Sequence, residues 1–286
     1  MESYSQVDLN EDVLREILSH TDIQSVFKLC QVNKTLCYQH DDLFLQIYDR
    51  LYHETGMSVF KNKTWFQLLK LCYQLSRLIL LLPSLKNYTM KALYTMIELN
   101  LSYRKIKVLP PEIGKLHALQ ILNLSRNQLS ELPPEFGRFH TLKELYLSYN
   151  QLSLFPPEIS QLSHLQVLYL TNNKLSVVPP EIGNLSALQY LNLSYNQLSI
   201  LPPEIGHLSH LQDLDLSNNQ LSALPPEIGQ LSDLQSLFLN HNQLSALPPE
   251  IGQLRDLHYL ELSKNNLSSK IKNELKRQLP NTKIYL

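Results

Sequence analysis

Residues 119–137 read LQILNLSRNQLSELPPEFG, and this stretch decides the fold. Leu122 and Leu124 alternate with Ile121 and Asn123, the period-two pattern of a strand with one buried face. Asn127 falls where the chain leaves that strand; an amide there can satisfy turn N–H and C=O groups that burial would otherwise orphan. Leu129 and Leu132 return the chain to the core. Pro133 and Pro134 then fix an extended segment and favour polyproline or turn geometry over a full helix. Gly137 permits a tight backbone, a rule that Ser160 breaks in the next unit.

The pattern recurs without drift. Proline pairs fall at 110–111, 133–134, 156–157, 179–180, 202–203, 225–226 and 248–249, every interval being 23. Asn127, Asn150, Asn173, Asn196, Asn219, Asn242 and Asn265 keep the same interval, and Arg104 occupies that register one step earlier. A period in the twenties built on LxxLxLxxNxL resembles the leucine-rich repeats, over roughly residues 96 to 286. The resemblance implies an α/β solenoid, a horseshoe whose parallel strands line the concave side. Eight repeats are expected over 96–268, closed by a cap at 269–286. The spaced leucines, the prolines and the asparagines are then structural.

A terminal repeat exposes a sliced core, so both ends need covering. SSKIKNELKRQLPNTKIYL reads as an amphipathic helix carrying Ile271, Leu275 and Leu279, then a last strand from Lys283 to Leu286. Residues 51–95 are expected to form a helical linker and the N-terminal cap. There Thr64 can cap a helix presenting Trp65, Leu68, Leu69, Cys72, Leu75, Ile79 and Leu82, and a shorter helix spans about Ser84 to Tyr94.

The first fifty residues have a different pattern. LNEDVLREIL puts Leu9, Val13, Leu14, Ile17 and Leu18 on a helical stripe. A second helix begins at Asp22-Ile23, with shorter helical pieces after it. About 45 residues make a marginal core alone, so this block needs a neighbour or a partner. Residues 7 to 50 resemble the F-box family: LNEDVLREIL is similar to LPxEILxxIL, Asp22-Ile23 with LCQVNK to DLxxxxxVCK, and Asp41-Asp42-Leu43-Phe44 to DxxLW. Asn10 stands for the usual Pro, Leu36 or Cys37 for a Trp, and Phe44 for a second Trp. The resemblance implies a small all-α domain over 1–50 that binds a Skp-type adaptor, and through it a cullin–RING ubiquitin ligase. Leu9, Val13, Leu14, Ile17, Leu18, Ile23 and Val32 are the adaptor-binding residues it implies.

Composition limits the other partners. Lys plus Arg total 25 against 26 for Asp plus Glu, a net charge of −1, whereas nucleic acid and anionic membranes select a basic excess. The apolar run Leu78 to Leu82 is too short to span a bilayer, and MESYSQVDLNEDV lacks a signal-peptide core. Three cysteines, Cys30, Cys37 and Cys72, suit a reducing compartment better than a disulfide framework. A cytoplasmic protein is expected, in the host cytosol if the source is a bacterium or a virus, and a monomer without cofactor or metal. Sequons such as Asn123-Leu124-Ser125 arise from the repeat pattern itself.

The eight units can be compared with one another. Framework positions barely change, while the third, fifth and eighth positions of LxxLxLxxNxL vary. Alternation sends the third and fifth to the concave face. Tyrosine, a large side chain with a polar tip and few rotamers, is heavily used there. Tyr146, Tyr149, Tyr169, Tyr190, Tyr195, Asp213, Asp215, Phe238, His241 and Tyr259 are the candidate partner-binding residues. Eight strands about 4.8 Å apart make a face roughly 35–40 Å long, suited to a protein or extended peptide. Asp213 and Asp215 would favour a partner presenting Lys or Arg.

Other motifs carry less. His207 and His210 have a metal-like spacing, but on the convex segment and with no Cys or acidic partner in register. The ladder Glu112, Glu135, Glu158, Glu181, Glu204, Glu227 and Glu250 reads as a solvated convex stripe. No phosphate-binding Gly loop or Ser/His/Asp set is present, and no cysteine follows Cys72 to serve a ligase domain of the bacterial-effector kind. The reading is a non-enzymatic substrate-recognition subunit that links an unidentified target to a Skp–cullin–RING ligase. The alternative is an intracellular scaffold for a small GTPase or phosphatase, since LPPEIG repeats are similar to the intracellular Ras-group class. A ligand-sensing or immune-type receptor is disfavoured by the absence of a signal, kinase or membrane segment.

Overall fold

The computed structural model describes Leu82, Leu85, residues 92–93 and residues 95–286. The F-box-like segment with the expected adaptor-binding residues Leu9 to Val32, and nearly all of the 51–95 segment expected as a linker, lie outside the described residues. The chain divides into two units between residues 94 and 95, and the second, Thr95–Leu286, holds the repeats.

Nine three-residue strands form one parallel sheet in sequence order. They are β1 (Glu98–Asn100), β2 (Ile121–Asn123), β3 (Glu144–Tyr146), β4 (Val167–Tyr169), β5 (Tyr190–Asn192), β6 (Asp213–Asp215), β7 (Ser236–Phe238), β8 (Tyr259–Glu261) and β9 (Lys283–Tyr285). The first eight pair in register at a step of 23 residues, so Leu99, Leu122, Leu145 and their equivalents form one row. Those leucines are buried, as are Leu124 and its equivalents and Leu129 with its equivalents from Ile106 to Leu244, while Leu267 in the last unit is half-buried. Each such side chain removed from water contributes about 1.5–3 kcal/mol, which is why period two with Leu inward fixes the register.

Between strands each proline pair does two things. The first proline is extended, with Pro133 at φ −71° and ψ 149°. The second opens a five-residue 3-10 helix, Pro134–Arg138 in this unit, where its missing N–H costs nothing. The convex side is therefore a stack of single 3-10 turns.

The asparagines join one repeat to the next. Asn150 Nδ2 donates to the carbonyls of Leu147 at 2.9 Å and Leu124 at 3.1 Å, while its Oδ1 accepts from the Leu129 N–H at 3.0 Å. One buried amide thus satisfies three backbone groups, two of them in the preceding repeat.

The convex glycines have another purpose than the sequence suggested. They stay outside the left-handed region, and close stacking is what excludes a side chain: a Cβ at Gly206 would sit 2.6 Å from the Glu227 carbonyl oxygen. The same stacking corrects the reading of the glutamate ladder as solvated. Glu112 is buried, Glu135, Glu158, Glu204, Glu227 and Glu250 are half-buried, and Glu181 is exposed. Glu181 is the member that follows Ser160, which stands where the other units carry glycine. One carboxylate oxygen each of Glu204 and Glu227 is enclosed without a hydrogen-bond partner.

The end of the array is closed by α1 (Ser269–Gln278), which buries Leu275 and is followed by the buried Leu279, with Ile271 half-covered. β9 then pairs with β8, placing Ile284 beside Leu260. The strand ends at Tyr285 rather than Leu286, because its last ladder bond is Leu262 N–H to the Tyr285 carbonyl and Leu286 is exposed to solvent.

Candidate functional site

The third and fifth positions of each repeat flank the buried leucine of its strand, so they share the outer face of the sheet. Register places Tyr146 beside Tyr169, Tyr190 beside Asp213, and Asp215 beside Phe238. Tyr146 and Tyr169 meet edge to face at 5.3 Å, the arrangement that ring quadrupoles favour. The Tyr146 hydroxyl donates to Glu144 Oε2 at 2.7 Å. Burial first, and that bond second, push its ionisation far above the usual phenol range. Tyr169 is shifted the same way, by burial and then by the Asp213 carboxylate.

The two aspartates differ. Asp215 has both carboxylate oxygens in use: Oδ1 accepts from the Ser217 N–H at 2.9 Å and Oδ2 from Asn192 Nδ2 at 3.1 Å. The first bond recurs wherever the fifth position carries a short acceptor, as in Asn123 to Ser125 and Asn192 to Ser194. The fifth position therefore closes a turn when it is Asn or Asp, and presents a ring when it is Tyr or Phe. Asp213 is half-buried, and its ionisation is raised by desolvation and then by Asp215, with a hydrogen bond to Ser236 acting the other way.

The eighth position lies on the rim. Tyr103, Arg126, Tyr149, Asn172, Tyr195, Asn218, His241 and Lys264 all have φ between 53° and 59°, the left-handed region. Non-glycine residues enter it at a cost, and Asn most readily. The conformation turns the chain out of the strand just before the framework Asn. It leaves Tyr149 and Tyr195 exposed, and seats the Arg126 guanidinium 4.0 Å from the Tyr149 ring centroid and 5.1 Å from that of Tyr103. His241 is exposed on the same rim, its Nδ1 3.2 Å from Asn240 Nδ2.

Two residues absent from the sequence-derived set belong to this face. Tyr285, on β9, stacks on Tyr259 at 5.1 Å, which in turn lies 5.7 Å from Phe238. Lys283 Nζ lies over both tyrosines, 5.6 Å from Tyr259 and 5.2 Å from Tyr285. Its hydrogen bond holds the Tyr285 hydroxyl below the usual phenol range, and the bond to Tyr285 raises Tyr259. The signal was the KIY strand itself, which continues the third and fifth registers beyond the last full repeat. The sheet thus brings Tyr146, Tyr169, Tyr190, Asp213, Asp215, Phe238 and Tyr259 onto one surface, with Tyr149, Tyr195 and His241 along its edge.

On the convex side, the histidine reading needs one correction. His210 does have an acidic partner, since its Nδ1 lies 3.2 Å from Asp233 Oδ2 one repeat on, where equal spacing superimposes their positions. Two groups do not enclose an ion, and among the described residues no cluster of three or more His, Cys, Asp or Glu side chains converges. Nor is any described helix long and apolar enough to cross a membrane.

Known proteins with this architecture are numerous. The family model described as a leucine-rich repeat region matches residues 57–178 and 178–280, and the F-box domain model matches residues 7–39. No curated protein matches the chain. Among solved structures, a leucine-rich-repeat protein of Leptospira interrogans is 41% identical with a TM-score of 0.54, over 64% of this chain and 52% of that one. The chain thus spans about half the length of that protein. An internalin C2 of Listeria monocytogenes is 25% identical at a TM-score of 0.59, over 70% and 83%. The ectodomain of a plant membrane receptor kinase from Arabidopsis thaliana, solved in complex with Casparian strip integrity factor 2, is 38% identical at 0.51, over 61% and 25%. LRR and F-box modules generally recognise proteins rather than catalyse reactions, and this chain belongs to the leucine-rich-repeat family and carries an F-box domain at residues 7–39.

Proposed function

We propose that this protein is the substrate-recognition subunit of a Skp–cullin–RING ubiquitin ligase: the F-box domain holds a Skp-type adaptor and the concave sheet holds the target. The observation that carries this reading is the presence, on one chain, of an F-box domain and a parallel sheet whose outer face exposes tyrosines. Such a subunit needs no catalytic residue. It raises the effective concentration of the target's lysines at the conjugating enzyme, and does so best when target and adaptor are both held tightly. The setting is the eukaryotic cytosol, where that ligase works.

The test is affinity purification of the full chain from eukaryotic cytosol. Recovery of the Skp-type adaptor is expected, with loss on replacing Leu9 and Ile17 by Asp and retention on replacing Tyr169 by Ala. A wild-type chain that recovers no adaptor, or a double variant that still recovers it, would overturn the reading. The similarity of the LPPEIG repeats to intracellular scaffolds favours a second reading, in which the array holds a signalling protein such as a small GTPase or phosphatase. That reading gains if the target is retained, and its abundance unchanged, when Leu9 and Ile17 are replaced.

A further inference from the structure

The concave surface and its rim carry two opposite charges that no other described residue matches with an ion pair. At one end is Arg126, exposed and lying over the rings of Tyr103 and Tyr149. Contact with ring faces uses the charge of a guanidinium but leaves its in-plane N–H donors open, and those donors match a carboxylate. Among the described residues no carboxylate pairs with it. On the neighbouring strand β3, Glu144 already accepts from the Tyr146 hydroxyl at 2.7 Å.

At the other end is Asp213 on β6, beside Asp215. Neutral groups alone hydrogen-bond this pair: Asn192 and the Ser217 N–H on Asp215, and Ser236 on Asp213. No Lys or Arg pairs with either among the described residues. Tyr190 and Phe238 stand on adjoining strands. A cation entering there would meet desolvated negative charge between aromatic side chains, where its attraction is strongest.

Four strand steps separate the repeat of Arg126 from that of Asp213. At about 4.8 Å per step, with the offset of the rim, the poles are on the order of 20 Å apart, or roughly six residues of extended chain. Between them Val167, Tyr146 and Tyr169 offer uncharged contact, and the one carboxylate on β3 and β4, Glu144, is engaged by the Tyr146 hydroxyl. A polyanion such as nucleic acid would set its phosphates against Asp213 and Asp215, so a protein segment with both signs fits better.

We infer that this surface reads a dipolar protein segment, one that presents an acidic side chain to Arg126 and, about six residues away, a Lys or Arg to Asp213. The inference rests on the concave face being the target site, and it adds the chemistry and the direction of the target. It sets the orientation of a bound segment along the array, since reversal would oppose like charges at both poles.

The test is selection of a random 16-residue phage-displayed peptide library on the full chain, repeated on Arg126→Glu and on Asp213→Lys, with circular dichroism checking that each variant is folded. Wild-type selection is expected to enrich peptides with an acidic and a basic residue about six positions apart. Each reversal should weaken those peptides at least tenfold and select peptides with the sign of the corresponding residue inverted. Enrichment without such a pair, or binding that survives both reversals, overturns the inference. Peptides that lose binding on Tyr169→Ala yet survive both reversals would leave the concave site standing while the two-charge reading falls.

Discussion

The side-chain amide of Asn196 donates to the Leu170 carbonyl at 3.0 Å, one whole repeat earlier in the chain. The same amide donates to Leu193 at 3.0 Å, and its oxygen accepts from the Leu175 N–H at 3.0 Å. Adjacent repeats are therefore coupled by a buried polar group as well as by stacked leucines. Removing it strands the Leu175 N–H, at about 1–3 kcal/mol in the interior, and costs the Leu170 and Leu193 carbonyls one bond each, although Asn173 and Asn219 still donate to them at 3.0 Å.

Asn196→Ala is accordingly expected to destabilise the array by about 2–4 kcal/mol, and Asn196→Leu by no less, since an apolar replacement leaves the same N–H orphaned. Urea denaturation followed by far-ultraviolet circular dichroism reads this directly. Because each repeat contacts only its neighbours, the mutant transition should also broaden or split around the fifth repeat. A loss below about 1 kcal/mol would mean that water replaces the amide.

Glycine spacing on the convex face yields a contrast between two sites. At Gly206 a Cβ would lie 2.6 Å from a backbone oxygen of Glu227, whereas at Gly252 its nearest neighbour is the Gln278 side chain at 3.2 Å. Backbone cannot yield where a glutamine on the cap helix can. Gly206→Ala is expected to cost about 1–3 kcal/mol and Gly252→Ala distinctly less, measured as thermal midpoints of the two variants. Equal midpoints would argue that the repeats part as easily in mid-array as at the cap.

The sequence pattern exposed the framework because 23-residue periodicity compares each position with its equivalents, and Leu122, Asn127 and Pro133 stand out by not changing. Variable positions give no such contrast, so their local geometry was hidden. The left-handed conformation at the eighth position is typical of Gly, Asn and Asp, and only Asn172 and Asn218 displayed it, masked by Tyr, Arg, His and Lys elsewhere. The turn bond at the fifth position was in view as the spacing of Asn123 and Ser125, read as a by-product of the repeat. Enclosure of the glutamate ladder depends on how closely the 3-10 turns stack, and a one-dimensional pattern does not contain that distance.

Tyr195 occupies φ 53° while standing 53% exposed, so its ring repays little of the backbone cost by burial. Asn adopts this conformation more readily and is present at the equivalent positions 172 and 218. Tyr195→Asn is expected to stabilise the array by about 0.5–1 kcal/mol, seen as a higher urea midpoint, while weakening target binding. A variant that is less stable would show that the ring packs on its neighbours more than its exposure implies.

Asp213 gives a pH dependence whose sign is fixed. Its folded-state ionisation is raised above the ordinary value of 3.8, chiefly by desolvation and then by Asp215, so folding disfavours its charged form. The folded protein then binds more protons at this site than the unfolded chain does between pH 3.8 and the raised value. The stability this residue contributes is present in full below 3.8 and is lost as pH rises through the folded-state value. Asp213→Asn is therefore expected to be more stable than the wild type at pH 7, with the difference shrinking as pH falls through the raised folded-state value toward 3.8. Paired thermal scans from pH 3.5 to 7 measure it, and a constant difference would assign the effect to packing. A basic group of the target docked on Asp213 should favour the carboxylate and abolish the same slope. Target binding below neutral pH would then release protons, and calorimetry in buffers of different ionisation enthalpy would count them.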